Sequence, residues 1–284
     1  MFVAVDTKVP SAVEAHVSSI YSALFPDGES GFVRQSFEWA GQFFSGRYGD
    51  YQAIDARYHD FEHTLQGTLC LVRLLQGRHE AKAAPVISRK MFELGLLAIL
   101  FHDTGYLKKR DDTKGTGAKY TQVHVSRSAD FAKEFLSRQD RPDADVAAIQ
   151  NMIRCTGVNV DLNHIPFQSA EEKLVGLALG TADLLGQMAA DDYIDKLPVL
   201  YEEFAEAAEF SGPNAARVPF TSAADLMSKT PGFWEGYVVV KLNNDFERLY
   251  TFLNQPHPEG PNDYMQRIER NIARLRAKLE RKTK

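Results

Sequence analysis

His59 and His63 stand four residues apart in YHDFEH, His102 and Asp103 end the run ELGLLAILFHD, and Asp183 interrupts LVGLALGTADLLGQM. Imidazole and carboxylate are the side chains that hold divalent cations and move protons near neutral pH. If 59 to 63 is helical, both imidazoles project from one face about one turn apart. A histidine pair arises by chance often enough to carry little alone. The two carboxylates carry more. Each lies in apolar surroundings, and a buried carboxylate left unpaired costs several kcal/mol. No Lys or Arg stands three or four residues from Asp183. Either Arg127 or Arg154 reaches it from elsewhere in the fold, or one divalent ion neutralises both carboxylates. The mixed N and O donors suit Mn, Fe, Co, Ni, Zn or Mg without choosing among them, and the count of ions, one or two, stays open.

The elements that position these residues read as helices throughout. Apolar spacing near 3.6 recurs along the chain, and the VVV at 238 to 240 is the only strand-like cluster. An amphipathic opener covers 11 to 25, and glycines in GRYGDY precede a helix over roughly 59 to 77. A helix over 89 to 103, apolar on nearly every face, belongs at the centre of a bundle. The polar stretch TGYLKKRDDTKGTGAKYTQ is a loop that borders or covers a site, and helical spacing resumes at His124. A helix follows Pro142, running to about Thr156. Ser169 with Glu172 forms a capping-box signature for the helix that carries Asp183. Beyond 190 come an acidic helix, a Pro/Gly-containing connection and a Phe/Trp-bearing segment. A last helix from Asn262 spaces Met265, Ile268, Ile272, Leu275 and Leu279 by threes and fours among Arg and Lys, and it reads as a packed surface helix, with a homodimer-forming coil or an anionic-surface contact as alternatives. The organisation expected is N-terminal helices over 1–50, a metal-binding core over 51–210 and a C-terminal extension over 211–284, packed as one unit.

Bulk composition excludes other classes. With 284 residues, 44% of them hydrophobic and 25% charged, the chain is long enough for a sizeable core and lacks a bilayer-spanning apolar run. A net charge of -5 gives no footprint for duplex nucleic acid. The first residues show no secretory pattern, so a soluble cytoplasmic protein is expected. Cys70 and Cys155 sit in apolar helix patterns, which leaves metal binding to His and carboxylate.

The order His63, then His102-Asp103 followed by Thr-Gly, then Asp183 on a later apolar helix resembles the HD-domain metal-dependent phosphohydrolase superfamily over roughly residues 55 to 200. YHDFEH is also similar to the YHN-x-x-H element of class I cyclic-nucleotide phosphodiesterases, with Asp60 in place of Asn. The resemblance implies an HD-type helical bundle. It implies a metal held by His63, His102, Asp103 and Asp183, with His59 as the general acid that protonates the leaving oxygen. Asp103 would serve both metal and catalysis, bridging to any second ion. Those phosphodiesterases carry a further histidine soon after the dyad; here none occurs before His124, so one metal position is firm and a second, near His124, is optional.

Around this set, His124 is a candidate for a second metal, for orienting a ligand or for phosphate contact. Lys108, Lys109 and Arg110 follow the dyad directly and are candidates for a substrate phosphate, although charge runs in loops are often simply solvated. Gln187 lies one turn beyond Asp183, with Asp191 and Asp192 after it, and either binds substrate or caps a core polar group. The function expected is hydrolysis of a small phosphorylated compound, a nucleotide or cyclic nucleotide. A nucleotidase or triphosphate hydrolase of the same superfamily is the alternative. A non-catalytic sensing domain would be expected to lack the metal residues, and a di-iron oxygenase needs more histidines than can be placed.

Overall fold

The computed structural model describes residues 2–158, 160–211 and 220–282. Its helices are α1 (Pro10–Leu24), α2 (Phe32–Phe44), α3 (Phe61–Glu80), α4 (Arg89–Phe101), α5 (His124–Ser137) and α6 (Asp143–Arg154). They continue as α7 (Ala170–Met188), α8 (Tyr193–Ser211), α9 (Ala223–Phe233), α10 (Val239–Asn244) and α11 (Asp263–Lys282). The all-α architecture expected from the periodicity is observed. The only extended pairings among the described residues are isolated bridges, Tyr51 with Lys109 and Asn254 with Asn262. The Val238–Val240 run is helical: Val238 ends a π-helical turn (Trp234–Val238) and Val239 opens α10. Val238 is fully buried, and packing overrides the weak β preference of the valines. Part of the Pro/Gly connection, 212–219, lies outside the described residues.

α4 forms because Ser88 accepts a hydrogen bond from the Met91 amide at its start and nine of its thirteen residues are strong helix formers, with no proline. Leu94 and every residue from Leu96 to Phe101 are buried, as an all-round apolar helix requires. Each such leucine contributes roughly 1.5–3 kcal/mol by leaving water. α4 packs against α2, α3, α6 and α7, and α1 packs against α2 and α3. Ser169 caps α7 by accepting from the Glu172 amide. Glu172 does not return the bond to Ser169; its carboxylate takes the Gln168 amide and the Asn151 side chain instead. The capping box is thus half formed, with the other half spent on fastening α6 to α7.

α3 and α7 cross closely enough that a Cβ on Gly186 would lie 2.8 Å from the Gln66 carbonyl carbon and oxygen. Glycine at 186 permits the approach that sets His63 opposite Asp183. In α11, Ile268, Ile272 and Leu275 are buried and the helix packs on α7, α8 and α9. The apolar stripe that a coiled-coil dimer would use is therefore occupied by the chain's own core. Cys70 and Cys155 are free and buried. No helix among the described residues is long and apolar enough to cross a membrane.

Candidate metal centre

Three core helices bring one cluster together. His63 lies in the first turn of α3, where Asp60 caps the helix by accepting from the His63 amide at 2.8 Å. α4 stops at Phe101, so His102 is its C-cap and Asp103 begins the turn beyond. Asp183 lies inside α7. His63 Nε2 is 3.3 Å from both Asp103 Oδ2 and Asp183 Oδ1, and His102 Nε2 is 3.3 and 3.4 Å from the same two atoms. Ligands about 2.1 Å from a common ion stand about 3.0–3.4 Å apart as neighbours. His63, His102 and Asp103 are buried and their ligand atoms all lie within 4.8 Å of one another, a group that could hold a metal ion.

The donor chemistry agrees with that spacing. His102 Nδ1 lies 2.7 Å from the Ile99 carbonyl, which accepts only if Nδ1 carries the proton. Nε2 then turns a lone pair toward Asp103 Oδ2, and both atoms are buried without a hydrogen-bond partner. Two lone-pair atoms facing each other require a cation between them, a proton or a metal. Burial by itself would lower the His102 pKa, but the Asp103 and Asp183 carboxylates outweigh it and raise it to about 9. Burial would likewise raise Asp183, yet His102 and His63 hold it well below the usual carboxylate range. Neither arginine considered as a partner reaches Asp183. Arg127 donates to the Gly105 and Leu107 carbonyls, and Arg154 donates to Asn151.

His59 departs from the sequence reading. It precedes the Asp60 cap and is outside α3, so helical spacing does not place it. Glu203 of α8 does: its Oε2 lies 2.5 Å from His59 Nδ1 and its Oε1 accepts the Tyr58 amide at 2.7 Å. Burial opposes a charge on His59, but Glu203 prevails and raises its pKa. In sequence Glu203 is one acid among several in YEEFAEAAEF. The available signal was its place on the inward side of α8, four residues before buried Ala207.

His124 joins the cluster from the start of α5. Its Nδ1 faces the Thr121 carbonyl at 2.6 Å and its Nε2 is 3.8 Å from Asp103 Oδ1, the oxygen not shared by His63 and His102. α5 rests on the turn that follows Asp103: a Cβ on Gly105 would lie 2.0 Å from the His124 carbonyl oxygen, and the Gly105 amide donates to Ser128. Both outer histidines rest against Tyr106. Its ring is 4.6 Å from His59 and 4.8 Å from His124, with interplanar angles of 18° and 22°.

The remaining candidates divide. Gln187 accepts from the Tyr58 hydroxyl at 2.7 Å and donates to the Asp183 carbonyl at 3.1 Å, so it links Tyr58 to Asp183. Lys108 is a correction: it is buried, paired with Asp55 at 2.7 Å and donating to the Gly115 carbonyl, and cannot meet a phosphate there. Lys109 is exposed, with its ammonium 3.7 Å over the Tyr51 ring. Arg110 faces Asp50 and the Gly46 carbonyl. The loop carrying them borders the site and is tied to α8 through Thr116 and Glu206.

A family profile described as Npun_R2479-like matches residues 31–255, which is more than half of the chain. The chain belongs to the Npun_R2479-like family. The matched span of this Npun_R2479-like protein contains every residue of the cluster, from His59 to Glu203. No curated protein matches it.

Proposed function

We propose that this Npun_R2479-like protein is a metal-dependent phosphohydrolase of the HD type, with the ion held by His63, His102, Asp103 and Asp183. The observation that carries the reading is the pair of buried, partnerless atoms, His102 Nε2 and Asp103 Oδ2, within 3.3 Å of each other. A divalent ion there supplies a water acidified toward neutral pH and positive charge for the phosphoryl oxygens. The protein's own part is proton transfer and orientation. His59, with Nδ1 toward Glu203, has Nε2 left to protonate a departing alkoxide. Glu203 stabilises the charged ring and fixes its orientation. Asp103 offers Oδ2 to the inner cluster and Oδ1 toward His124, so it and His124 would be available to a second ion.

Charge favours a phosphodiester over a triphosphate. Lys108 is committed to Asp55, Arg127 to backbone carbonyls, and Lys196 near His63 to Asp60, Glu62 and Asp192. None of these cations is left over for a polyphosphate. Metal analysis of freshly purified protein, beside hydrolysis of cyclic, mono- and triphosphate nucleotides with Mn or Fe, tests the reading. Bound metal with diester cleavage is expected; a metal-free protein that resists reloading would sink it.

A further inference from the structure

One hydrogen bond does not fix an imidazole. His59 and His124 are each tethered through Nδ1, to Glu203 and to the Thr121 carbonyl, and a ring held at one atom still swings about that tether. The final torsion of histidine is broad, so rotamer preference does not remove this freedom. A flat surface on the ring face does.

Tyr106 provides such a surface to both rings at once. It is three residues after Asp103, ends the short 3-10 turn 104–106 and is fully buried. Its own position is fixed from the backbone side, since a Cβ on Gly117 would lie 2.2 Å from the Tyr106 carbonyl oxygen. The two imidazole centroids lie 5.9 Å from each other with their planes 38° apart, so His59 and His124 sit side by side against the Tyr106 ring and not on opposite faces of it. An aliphatic residue would fill the same volume without defining a plane.

We propose that Tyr106 is a positioning residue whose ring sets the tilt and spacing of His59 and His124, an inference that rests on the hydrolytic reading above. It acts through those two imidazoles and touches no substrate.

The test compares the full chain with Tyr106→Leu and Tyr106→Phe. In Zn-loaded protein, imidazole proton NMR reads the ring-current shifts of His59 and His124. Shifts present in the parent and in Tyr106→Phe, and lost in Tyr106→Leu, are expected. With Mn and 3′,5′-cyclic AMP, a diester whose departing alkoxide needs a proton, Tyr106→Leu should lose about tenfold or more in kcat while KM and bound metal change little, because small misplacement of a reacting group is costly. Tyr106→Phe should restore turnover. Parental kcat and shifts in Tyr106→Leu overturn the proposal. Equal impairment of the Phe variant overturns it in favour of the hydroxyl, and metal loss in the Leu variant overturns it in favour of support for Asp103. Tyr106→Met replaces the Leu variant should that chain not fold. Should the parent cleave nothing, the hydrolytic reading fails while the NMR arm still decides the stacking claim.

Discussion

His63, His102, Asp103 and Asp183 come from α3, α4 and α7 or the residues capping them, whereas His59, Tyr106 and His124 come from the loop before α3, the turn after α4 and the first residue of α5. The inner four are fixed by helix packing: the glycine-permitted crossing of α3 on α7 and the buried length of α4 set their spacing before any side-chain contact forms. The outer set depends on specific contacts made by neighbours, namely Glu203, the Thr121 carbonyl and the Tyr106 ring. On the proposed reading the two halves would have different tasks, since a cage must hold its ion while an acid must meet a leaving group.

Substitutions that separate the two halves follow, from the strongest down. Asp183→Ala should abolish bound metal and lower turnover at least about 10³-fold, the scale of losing a pre-arranged charge-stabilising element. Elemental analysis beside kinetics checks it, and retained metal would remove Asp183 from the cage. His59→Ala should keep the metal yet slow turnover about 10²–10⁴-fold, as for loss of a general acid. If metal were lost with it, the division between halves would collapse, because His59 would then be a ligand. Glu203→Gln keeps the shape and removes the charge; a loss of about 10–100-fold in activity with metal unchanged is expected. Lys109→Ala should leave activity within about twofold, since a surface substitution away from the site acts weakly. A large loss there would mean that the loop moves onto the substrate.

The inner half was readable from the sequence and the outer half only in part, for a physical reason. Asp103 and Asp183 are anomalies within apolar helices, and an anomaly of that kind is visible locally. Glu203 looks like any acid on a surface helix until tertiary packing turns it inward. Lys108 misled in the same way, because a Lys-Lys-Arg run reads as solvated or phosphate-seeking while the fold buries its first member against Asp55. His59 was placed on a helix by spacing alone, although the Asp60 cap one residue later ends any helical register before it. The all-α class was legible because 3.6 periodicity is repeated many times over, and the one misfit, the valine run, was taken into helix with only Val238 buried.

α8 has a further consequence. Glu203 and Glu206 stand three apart, on adjoining positions of one helical face; the first fastens His59 and the second fastens Thr116 of the loop that follows the dyad. A turn of α8 about its own axis would let go of both together. The orientation of His59 and the docking of that loop are thus ganged on a single shaft, and under the proposed function a disturbance of this helix would reach the acid without touching the residues that hold the ion.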